Sequence, residues 1–432
     1  MKKITLWSLA VASIVMLGSC QSQNQEMGTT DVVTPHVYTN PTGDEFPILA
    51  WYSLLNDQVT KERYEEMAEA GFNISFSHFG TAEQVEQALE LSQGTGVKIL
   101  ITCKEMYDDT ENTVKRFRHH PQTVGYFLRD EPVGADFPNL SALAEKIRKA
   151  DDTKLLYLNL FPIYVAPEHL GAKDYADHVS QFIEKVKLGM VSFDNYPVTF
   201  DGVRAEYYAN LEDVMAETKK VGIPFWAFSL STAHNPYPVA TRAAMRMQIF
   251  SNLAYGAQGI QYFTYTSPGT ETWNFHNAPI DANSQRTEVW DRVAEINCEV
   301  KALTKVFLGA EVVKVRHTGA NIPVKTTALA EGDLPKMIRK VEADGEGVLV
   351  SHLKNGNRQY LMIVNRDIYQ PQRVTVETAE GVMRIMPDGR ELTAKTYSPS
   401  LYVEAGDMLL FGWEQEEFKI KNSKFKINKS PI

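Results

Sequence analysis

The sequence predicts an α/β fold, a (β/α)₈ TIM barrel followed by a small C-terminal antiparallel β-sandwich. Between residues 46 and 308, eight short apolar runs alternate with amphipathic helical stretches. This alternation is typical of repeated β-α units around a parallel sheet. Beyond residue 309 the pattern changes to short alternating runs separated by turn dipeptides such as Asn355-Gly356, which favours antiparallel strands.

The strand and helix candidates support the barrel in chain order. An open doubly wound sheet is the alternative, but Trp51-Tyr52-Ser53 follows the first strand, where that fold would carry a glycine-rich phosphate turn. The predicted strands are 47–51, 72–76, 98–102, 123–128, 155–160, 190–193, 224–228 and 259–265. The predicted helices are 61–70, 82–92, 140–150, 175–186, 211–220, 241–255 and 288–304.

The N-terminus predicts export. Lys2-Lys3 precede an apolar run that ends at Leu17-Gly18-Ser19-Cys20, so we expect residues 1–20 to be a lipoprotein signal peptide with a lipobox and Cys20 to carry the lipid. A soluble secreted protein that is cleaved nearby is the alternative. Residues 21–45 are predicted to be a flexible tether. The mature protein would then be attached to a bacterial membrane, on its periplasmic or cell-surface face, without spanning it.

Length and composition limit the number of domains and the kinds of partner and cofactor. The 432 residues, 44% of them hydrophobic, are enough for two domains: a barrel over 46–308 and a sandwich over 309–413, with a disordered tail over 414–432. The sandwich either supports the barrel or binds carbohydrate, and the first role is favoured because it has no obvious aromatic cluster. A net charge of −10 argues against a nucleic-acid partner. The histidines lack metal-ligand spacing, and we expect no metal or other cofactor.

The segment that carries most chemical information is Gly125–Pro132, which reads GYFLRDEP. It is an aromatic strand that ends on two carboxylates and a proline. In a TIM barrel the active site is built at the carboxyl ends of the strands, so Glu131 is predicted to lie in a pocket as a general acid. The alternative is structural, because acidic residues and proline are also common where a helix begins.

Other strand ends place polar and aromatic side chains on the same rim, a combination that suits a sugar with apolar ring faces and many hydroxyls. Some of the aromatic residues are expected in the core instead, and Arg129 could simply neutralise Asp130. The predicted substrate-binding residues are Trp51, Tyr52, His78, Tyr126, Arg129, Asp130, Asn159, Tyr196, Trp226, Tyr265 and Trp273.

Three segments of the chain resemble those of a known family. GYFLRDEP at 125–132, SFDNYP at 192–197 and LAYGAQGIQY at 253–262 are similar to segments of the (β/α)₈ glycoside hydrolases of the large retaining clan, particularly family 42-like lipoproteins of gut Bacteroidetes. The resemblance implies an enzyme that hydrolyses carbohydrate. It also implies that Glu131 is the acid/base, with Asp130 where the clan has asparagine.

One departure from that clan matters. Its nucleophile is a glutamate at the end of the seventh strand, whereas residues 224–231 read PFWAFSLS and contain no carboxylate. Because glycoside hydrolysis ordinarily needs two carboxyl groups, we expect the second to be Asp194, or otherwise Glu271. The alternative function is a catalytically inactive barrel that binds glycan at the cell surface. Sugar, linkage and stereochemistry stay open.

Overall fold

The computed structural model describes residues 36–271, 273–396 and 398–415. Eight parallel strands form a closed barrel in which each strand pairs with its neighbours in the chain and the eighth pairs with the first, beginning at Ile48 beside Ile260. The predicted TIM barrel is thereby confirmed. The strands are Ile48–Trp51, Ile74–Phe76, Lys98–Ile101, Thr123–Asp130, Leu155–Leu160, Val191–Phe193, Phe225–Leu230 and Ile260–Phe263.

Helices cover the outside of the barrel. Sequence reasoning missed the two short helices between the third and fourth strands, because Thr110–Phe117 has few apolar residues to mark a buried face. The helices, including short ones, are Lys61–Glu69, Ala82–Leu91, Glu105–Asp108, Thr110–Phe117, Phe137–Ala150, Pro167–Leu170, Tyr175–Val186, Tyr207–Val221, Arg242–Ala254, Glu288–Ala302 and Thr304–Phe307. A two-strand hairpin, Val198–Thr199 and Gly202–Val203, follows the sixth strand.

Strand alternation divides the apolar side chains of the barrel into two cores. In the first strand, Leu49 and Trp51 belong to the cluster inside the barrel, whereas Ile48 and Ala50 belong to the cluster between the strands and the helices. Successive side chains of a strand point to opposite faces, so both faces are buried here. The inner cluster fills the barrel beneath its rim.

The C-terminal part forms two antiparallel sheets, and the predicted β-sandwich is confirmed. One sheet has six strands and the other has three. The strand Ile338–Ala343 carries only a weak apolar pattern, because half of the residues in its sequence, IRKVEA, are charged. The strands are Glu311–His317, Ile338–Ala343, Val348–Asn355, Arg358–Asn365, Gln372–Thr378, Met383–Ile385, Glu391–Thr393, Ser400–Val403 and Met408–Glu414.

The sandwich packs against the barrel helix Arg242–Ala254. Arg246 of that helix is almost fully buried and pairs with Glu299 at 2.7 Å and with Asp407 of the sandwich at 2.5 Å. Ser351 of the sandwich donates a hydrogen bond to the Ala254 carbonyl at 2.6 Å. Removing one partner of a buried ion pair is strongly destabilising, so these contacts fix the two parts together.

The segment that precedes the first strand contacts the barrel. The Trp226 indole donates a hydrogen bond to the Tyr38 hydroxyl at 3.2 Å, and the His36 amide donates to the Lys187 carbonyl at 3.2 Å. The predicted tether over 21–45 is therefore wrong in its last part, because residues 36–45 make tertiary contacts. The predicted signal peptide, Cys20 and most of the tail lie outside the described residues. Within those residues, no helix has the length and apolar character to cross a membrane.

Candidate active site

A pocket of about 360 Å³ opens at the carboxyl ends of the barrel strands, the position at which TIM barrels carry their active sites. Its volume lies at the lower end of the range for ligand pockets. The wall combines carboxyl groups, amides and aromatic rings. The lining residues are Trp51, Asp130, Glu131, Asn159, Tyr164, Asp194, Tyr196, Phe228, His234, Asn235, Pro236, Tyr237, Phe263, Trp273 and Phe275.

An irregularity in the fourth strand decides which residue of its C-terminal end enters the pocket. Phe127 pairs with Tyr157, but Arg129 pairs with Leu158 and Asp130 with Asn159, so the register shifts by one residue between Phe127 and Arg129. A shift of this kind reverses the faces of all later side chains. Asp130 therefore lies beside Asn159 on the pocket side, and Arg129 lies on the other face, exposed to solvent.

Glu131 follows with an unusual backbone conformation. Its φ is +46°, in the left-handed region that non-glycine residues rarely adopt and that is enriched at functional sites. Its amide donates a hydrogen bond to the Asn159 carbonyl at 2.8 Å, which continues the pairing of the fourth strand with the fifth by one residue. This turn directs the Glu131 side chain into the pocket.

Glu131 and Asp194 line the same pocket, and each carboxyl group affects the pKa of the other. Burial and the charge of Asp130 raise the pKa of Glu131 to about 7. The interaction with Asp194 lowers this pKa by a smaller amount. Asp194 is only 6% exposed, and burial followed by the charges of Glu131 and Asp130 raises its pKa well above the usual range. Two carboxyl groups that interact in this way cannot both ionise easily, so the pair holds a proton near neutral pH.

Asn159 connects the carboxyl groups of the fourth and sixth strands. Its side-chain nitrogen donates to Asp194 at 2.9 Å and to Asp130 at 3.2 Å. Asp130 keeps more than a third of its surface open to solvent within the pocket, but the surrounding protein still displaces enough water to raise its pKa to about 6. The hydrogen bond from Asn159 opposes that rise, because it stabilises the charged form.

A buried hydrogen-bond chain fixes the orientation of Asn159. The Gln261 side-chain nitrogen donates to the Ser192 hydroxyl at 2.9 Å, and Ser192 donates to the Asn159 side-chain oxygen at 2.9 Å. Since that oxygen is occupied, the Asn159 nitrogen must face the carboxyl groups. The Tyr157 hydroxyl also donates to the Gln261 oxygen, so the chain crosses the barrel interior from the eighth strand to the fifth.

Aromatic side chains form the rest of the wall. Tyr164 and Tyr237 approach each other with hydroxyl oxygens 3.5 Å apart, and the Arg204 guanidinium covers the Tyr164 ring at 4.5 Å. His234 stacks beside Phe275 with ring centroids 4.6 Å apart. Burial lowers the pKa of His234, so this ring is neutral near pH 7.

Seven of the residues predicted from the sequence line the pocket: Trp51, Asp130, Glu131, Asn159, Asp194, Tyr196 and Trp273. Their chemical roles remain predictions. Tyr52 and His78 lie outside the pocket, with the His78 ring 6.3 Å from that of Trp51. Arg129 and Glu271 are exposed and are not among the lining residues.

Three predicted sugar platforms were wrong. Tyr126, Trp226 and Tyr265 are fully buried and do not line the pocket. The Tyr126 hydroxyl donates to Asp151 at 2.7 Å, and Trp226 lies inside the barrel. An aromatic residue in a strand gives the same sequence pattern whether its side chain packs in the core or faces a ligand.

Sequence reasoning also missed a large part of the wall, including Tyr164 and the turn from His234 to Tyr237. That turn follows the seventh strand, a position where active-site loops are expected. Asn235-Pro236 marks it as a turn, but the sequence carries no signal for which loop side chains face inward. Among the described residues, no cluster of three or more His, Cys, Asp or Glu side chains has the arrangement of a metal site.

Comparisons with known proteins give a family match for part of the chain and a similar fold. Residues 140–303 match the model of glycoside hydrolase family 42, described as beta-galactosidase, which confirms the predicted resemblance to family 42. The resemblance to lipoproteins of gut Bacteroidetes stays a prediction. The match covers less than half of the chain, and it includes Asp194 but not Glu131. No curated protein sequence matches significantly.

Solved structures of glycoside hydrolases are similar to this chain at low sequence identity, and the two with a TM-score above 0.5 that are described first share its fold. A GH42 beta-galactosidase from G. stearothermophilus is 8% identical with a TM-score of 0.59, over 88% of this chain and 100% of the other. A family 39 glycoside hydrolase from Bacteroides cellulosilyticus WH2 is 12% identical with a TM-score of 0.52, over 86% and 82%. A beta-galactosidase from Marinomonas ef1 is 12% identical with a TM-score of 0.44, over 60% of each chain. The chain therefore spans about three fifths of the Marinomonas protein.

Proposed function

We propose that this glycoside hydrolase, whose residues 140–303 match family 42, cleaves an O-glycosidic bond of an oligo- or polysaccharide with Glu131 as the general acid. The observation that carries the proposal is the Glu131–Asp194 carboxyl pair on the rim of the barrel, within an aromatic-lined pocket. Aromatic faces and clustered polar groups suit a sugar ring and its hydroxyls.

The protonation of Glu131 supports its role as the acid. With a pKa raised to about 7, it is protonated in a large fraction of molecules near neutral pH and can still donate its proton to a leaving oxygen. General acids work best when their pKa lies near the operating pH. Asp194 contributes by sharing the proton and by holding the Glu131 carboxyl in place.

The burial and the raised pKa of Asp194 limit what else this residue does. Asp194 is almost fully buried, its side chain accepts a hydrogen bond from Asn159, and burial and the charge of Glu131 raise its pKa well above the usual range. A carboxyl group that keeps its proton is a poor nucleophile and a poor base. In this arrangement Asp194 fits a proton-sharing partner of Glu131 better than a nucleophile or a base. Glu271, the other carboxylate expected from the sequence, is exposed and lies outside the pocket lining.

The proposal is tested by product release from a panel of plant, algal and host polysaccharides and aryl glycosides. Glu131→Gln keeps the size of the side chain but removes the proton donor, so we expect turnover to fall by about 10²–10⁴ while binding is retained. Glu168→Gln is the matched control, because Glu168 is an exposed glutamate on the short helix Pro167–Leu170. Equal activity of the Glu131 and Glu168 variants would contradict the assignment of the acid.

A second function, glycan binding without hydrolysis, is favoured by one observation. The seventh strand Phe225–Leu230 ends beside Ser229 and Ser231, both fully buried, where the clan carries its nucleophile. A binding protein would release no product from any member of the panel. It would show saturable sugar affinity that survives Glu131→Gln, whereas loss of turnover in that variant would exclude this function.

We also propose that the chain is exported and attached to a bacterial membrane by lipid on Cys20. The support is the sequence LGSC at 17–20 after a short apolar run. Cys20→Ala should release the protein from the membrane fraction and abolish incorporation of labelled fatty acid. Membrane association that survives this substitution would exclude the anchor.

A further inference from the structure

The acidic groups of the pocket all lie on one side. Asp130 and Glu131 are adjacent at the end of the fourth strand, and Asp194 follows the sixth. The first, seventh and eighth strands contribute Trp51, Phe228 and Phe263 to the same pocket. Among the described lining residues, no carboxylate faces the acidic group from that aromatic wall. Within the described pocket lining, a nucleophilic carboxylate across the sugar from the acid is therefore missing.

We propose that the substrate is a β-linked 2-acetamido-2-deoxy sugar whose own acetamido carbonyl oxygen is the nucleophile. Asp130 orients the acetamido group. This inference rests on the function proposed above. Substrate assistance is an established alternative to a pair of enzyme carboxylates in glycoside hydrolysis. It needs a general acid, a carboxylate beside the acid for the acetamido N–H, a donor for the acetamido oxygen, and an apolar surface for the methyl group.

Asp130 meets the requirement for the neighbouring carboxylate. One of its oxygens accepts a hydrogen bond from Asn159 at 3.2 Å. The other has no hydrogen-bond partner within the part of the chain that the structure describes, and the side chain is open to the pocket. That oxygen can accept a hydrogen bond from an acetamido N–H beside the proton that Glu131 donates.

Tyr196 provides a donor for the acetamido oxygen. It lines the pocket, and its hydroxyl makes no hydrogen bond to the residues that the structure describes. Burial raises the pKa of the Tyr196 hydroxyl, and the charge of Asp194 raises it further. The hydroxyl therefore stays protonated. A protonated phenol donates one hydrogen bond.

The aromatic wall suits the methyl group. The rings of Trp51 and Phe228 meet edge to face with centroids 5.4 Å apart, and Tyr196 and Phe263 stack at 5.5 Å. Burial of the methyl group against these rings would stabilise the bound sugar through the hydrophobic effect. A hydroxyl at the same position of the sugar could still donate to Asp130, but it would lack this methyl contact and the carbonyl oxygen that acts as the nucleophile.

Hydrolysis by this mechanism takes two steps. The acetamido oxygen forms a bond to C1 while the bond from C1 to the leaving oxygen breaks, and the leaving oxygen takes the proton of Glu131. Asp130 accepts the N–H hydrogen bond and stabilises the positive charge of the cyclic intermediate. Water then adds to C1 as the C1 bond to the acetamido oxygen breaks, and the proton lost by the water returns to Glu131. The product keeps the configuration of the substrate.

The first test compares 4-nitrophenyl 2-acetamido-2-deoxy-β-glucoside and β-galactoside with the 4-nitrophenyl β-glucoside and β-galactoside. We expect kcat/KM to favour an acetamido substrate by at least about 100-fold. Fluorine on the acetyl group makes the carbonyl oxygen less nucleophilic, so the rate should fall with each fluorine. Equal or faster hydrolysis of sugars without the acetamido group would overturn this inference and leave the proposed function intact. No hydrolysis of any glycoside would overturn both.

The second test isolates Asp130. Asp130→Asn should bind a methyl thiazoline of the amino sugar, a stable mimic of the cyclic intermediate, at least about 10-fold more weakly than the unaltered protein in calorimetry. Asp152→Asn, an exposed aspartate that precedes the fifth strand, is the control and should bind unchanged. Thermal melts of both variants verify folding. Unchanged thiazoline binding by a folded Asp130→Asn protein would overturn the role of Asp130.

Discussion

The carboxyl groups of Glu131 and Asp194 share one pocket and affect each other's pKa, although the two residues follow different strands of the barrel, the fourth and the sixth. The first follows a strand irregularity and a left-handed turn, and the second is almost fully buried. Because each group affects the pKa of the other, the two protons are lost in steps that belong to the pair and not to either residue alone. The proton that the pair holds near neutral pH is the one that a general acid needs.

Asp130→Asn should change the pH profile of the enzyme. The charge of Asp130 raises the pKa of Glu131, so removing that charge lowers this pKa. The acid then loses its proton at lower pH, and the high-pH limb of kcat/KM should move down from about 7. A pH series on wild type and variant measures this limb. A lower rate with an unmoved limb would mean that Asp130 does not act on Glu131 through its charge.

Asn159→Ala should lower kcat by about 10² with a smaller change in KM, because it removes the donor that positions both Asp130 and Asp194. Ser192→Ala, which frees the Asn159 oxygen, should lower kcat by a smaller factor in the same direction. Separate values of kcat and KM for both variants provide the check. A rise in KM alone would show that Asn159 contacts the sugar instead of positioning the acids.

Trp273→Ala should raise KM about 3- to 10-fold and leave kcat nearly unchanged, because stacking on an aromatic face contributes about 0.5–1.5 kcal/mol. Trp273 is 55% exposed at the pocket rim. Tyr402→Ala is the control, since Tyr402 is 77% exposed on the sandwich. Initial rates over a range of substrate concentrations separate the two constants. A matching rise in KM for both variants would place the effect outside the pocket.

Tyr126→Phe should destabilise the fold by about 1.5–3 kcal/mol without changing KM. It removes a buried hydroxyl that donates to the Asp151 carboxylate at 2.7 Å, and hydrogen bonds to charged groups contribute about that much. Urea unfolding measures the loss, and initial rates measure KM. A raised KM with unchanged stability would restore Tyr126 as a sugar platform and contradict its placement in the core.

Sequence reasoning placed the eight barrel strands and most of the helices, and it identified Glu131, Asp130 and Asp194 as rim residues. Those predictions rested on local signals, namely apolar runs, helical periodicity and carboxylates at strand ends. The sequence did not indicate which face of a strand each of these side chains occupies. Arg129 and Asp130 are neighbours, and after the register shift against the fifth strand Asp130 lines the pocket whereas Arg129 does not.

By itself, the sequence determined the kind of fold and the presence of acids at one rim, because strand alternation and helical periodicity are encoded over a few residues. The tertiary structure decided which residues meet. The Glu131–Asp194 pair, the Asn159 bridge and the burial of Tyr126, Trp226 and Tyr265 all depend on contacts between segments far apart in the chain. Such contacts depend on register and packing across the whole barrel, which no local stretch of sequence contains.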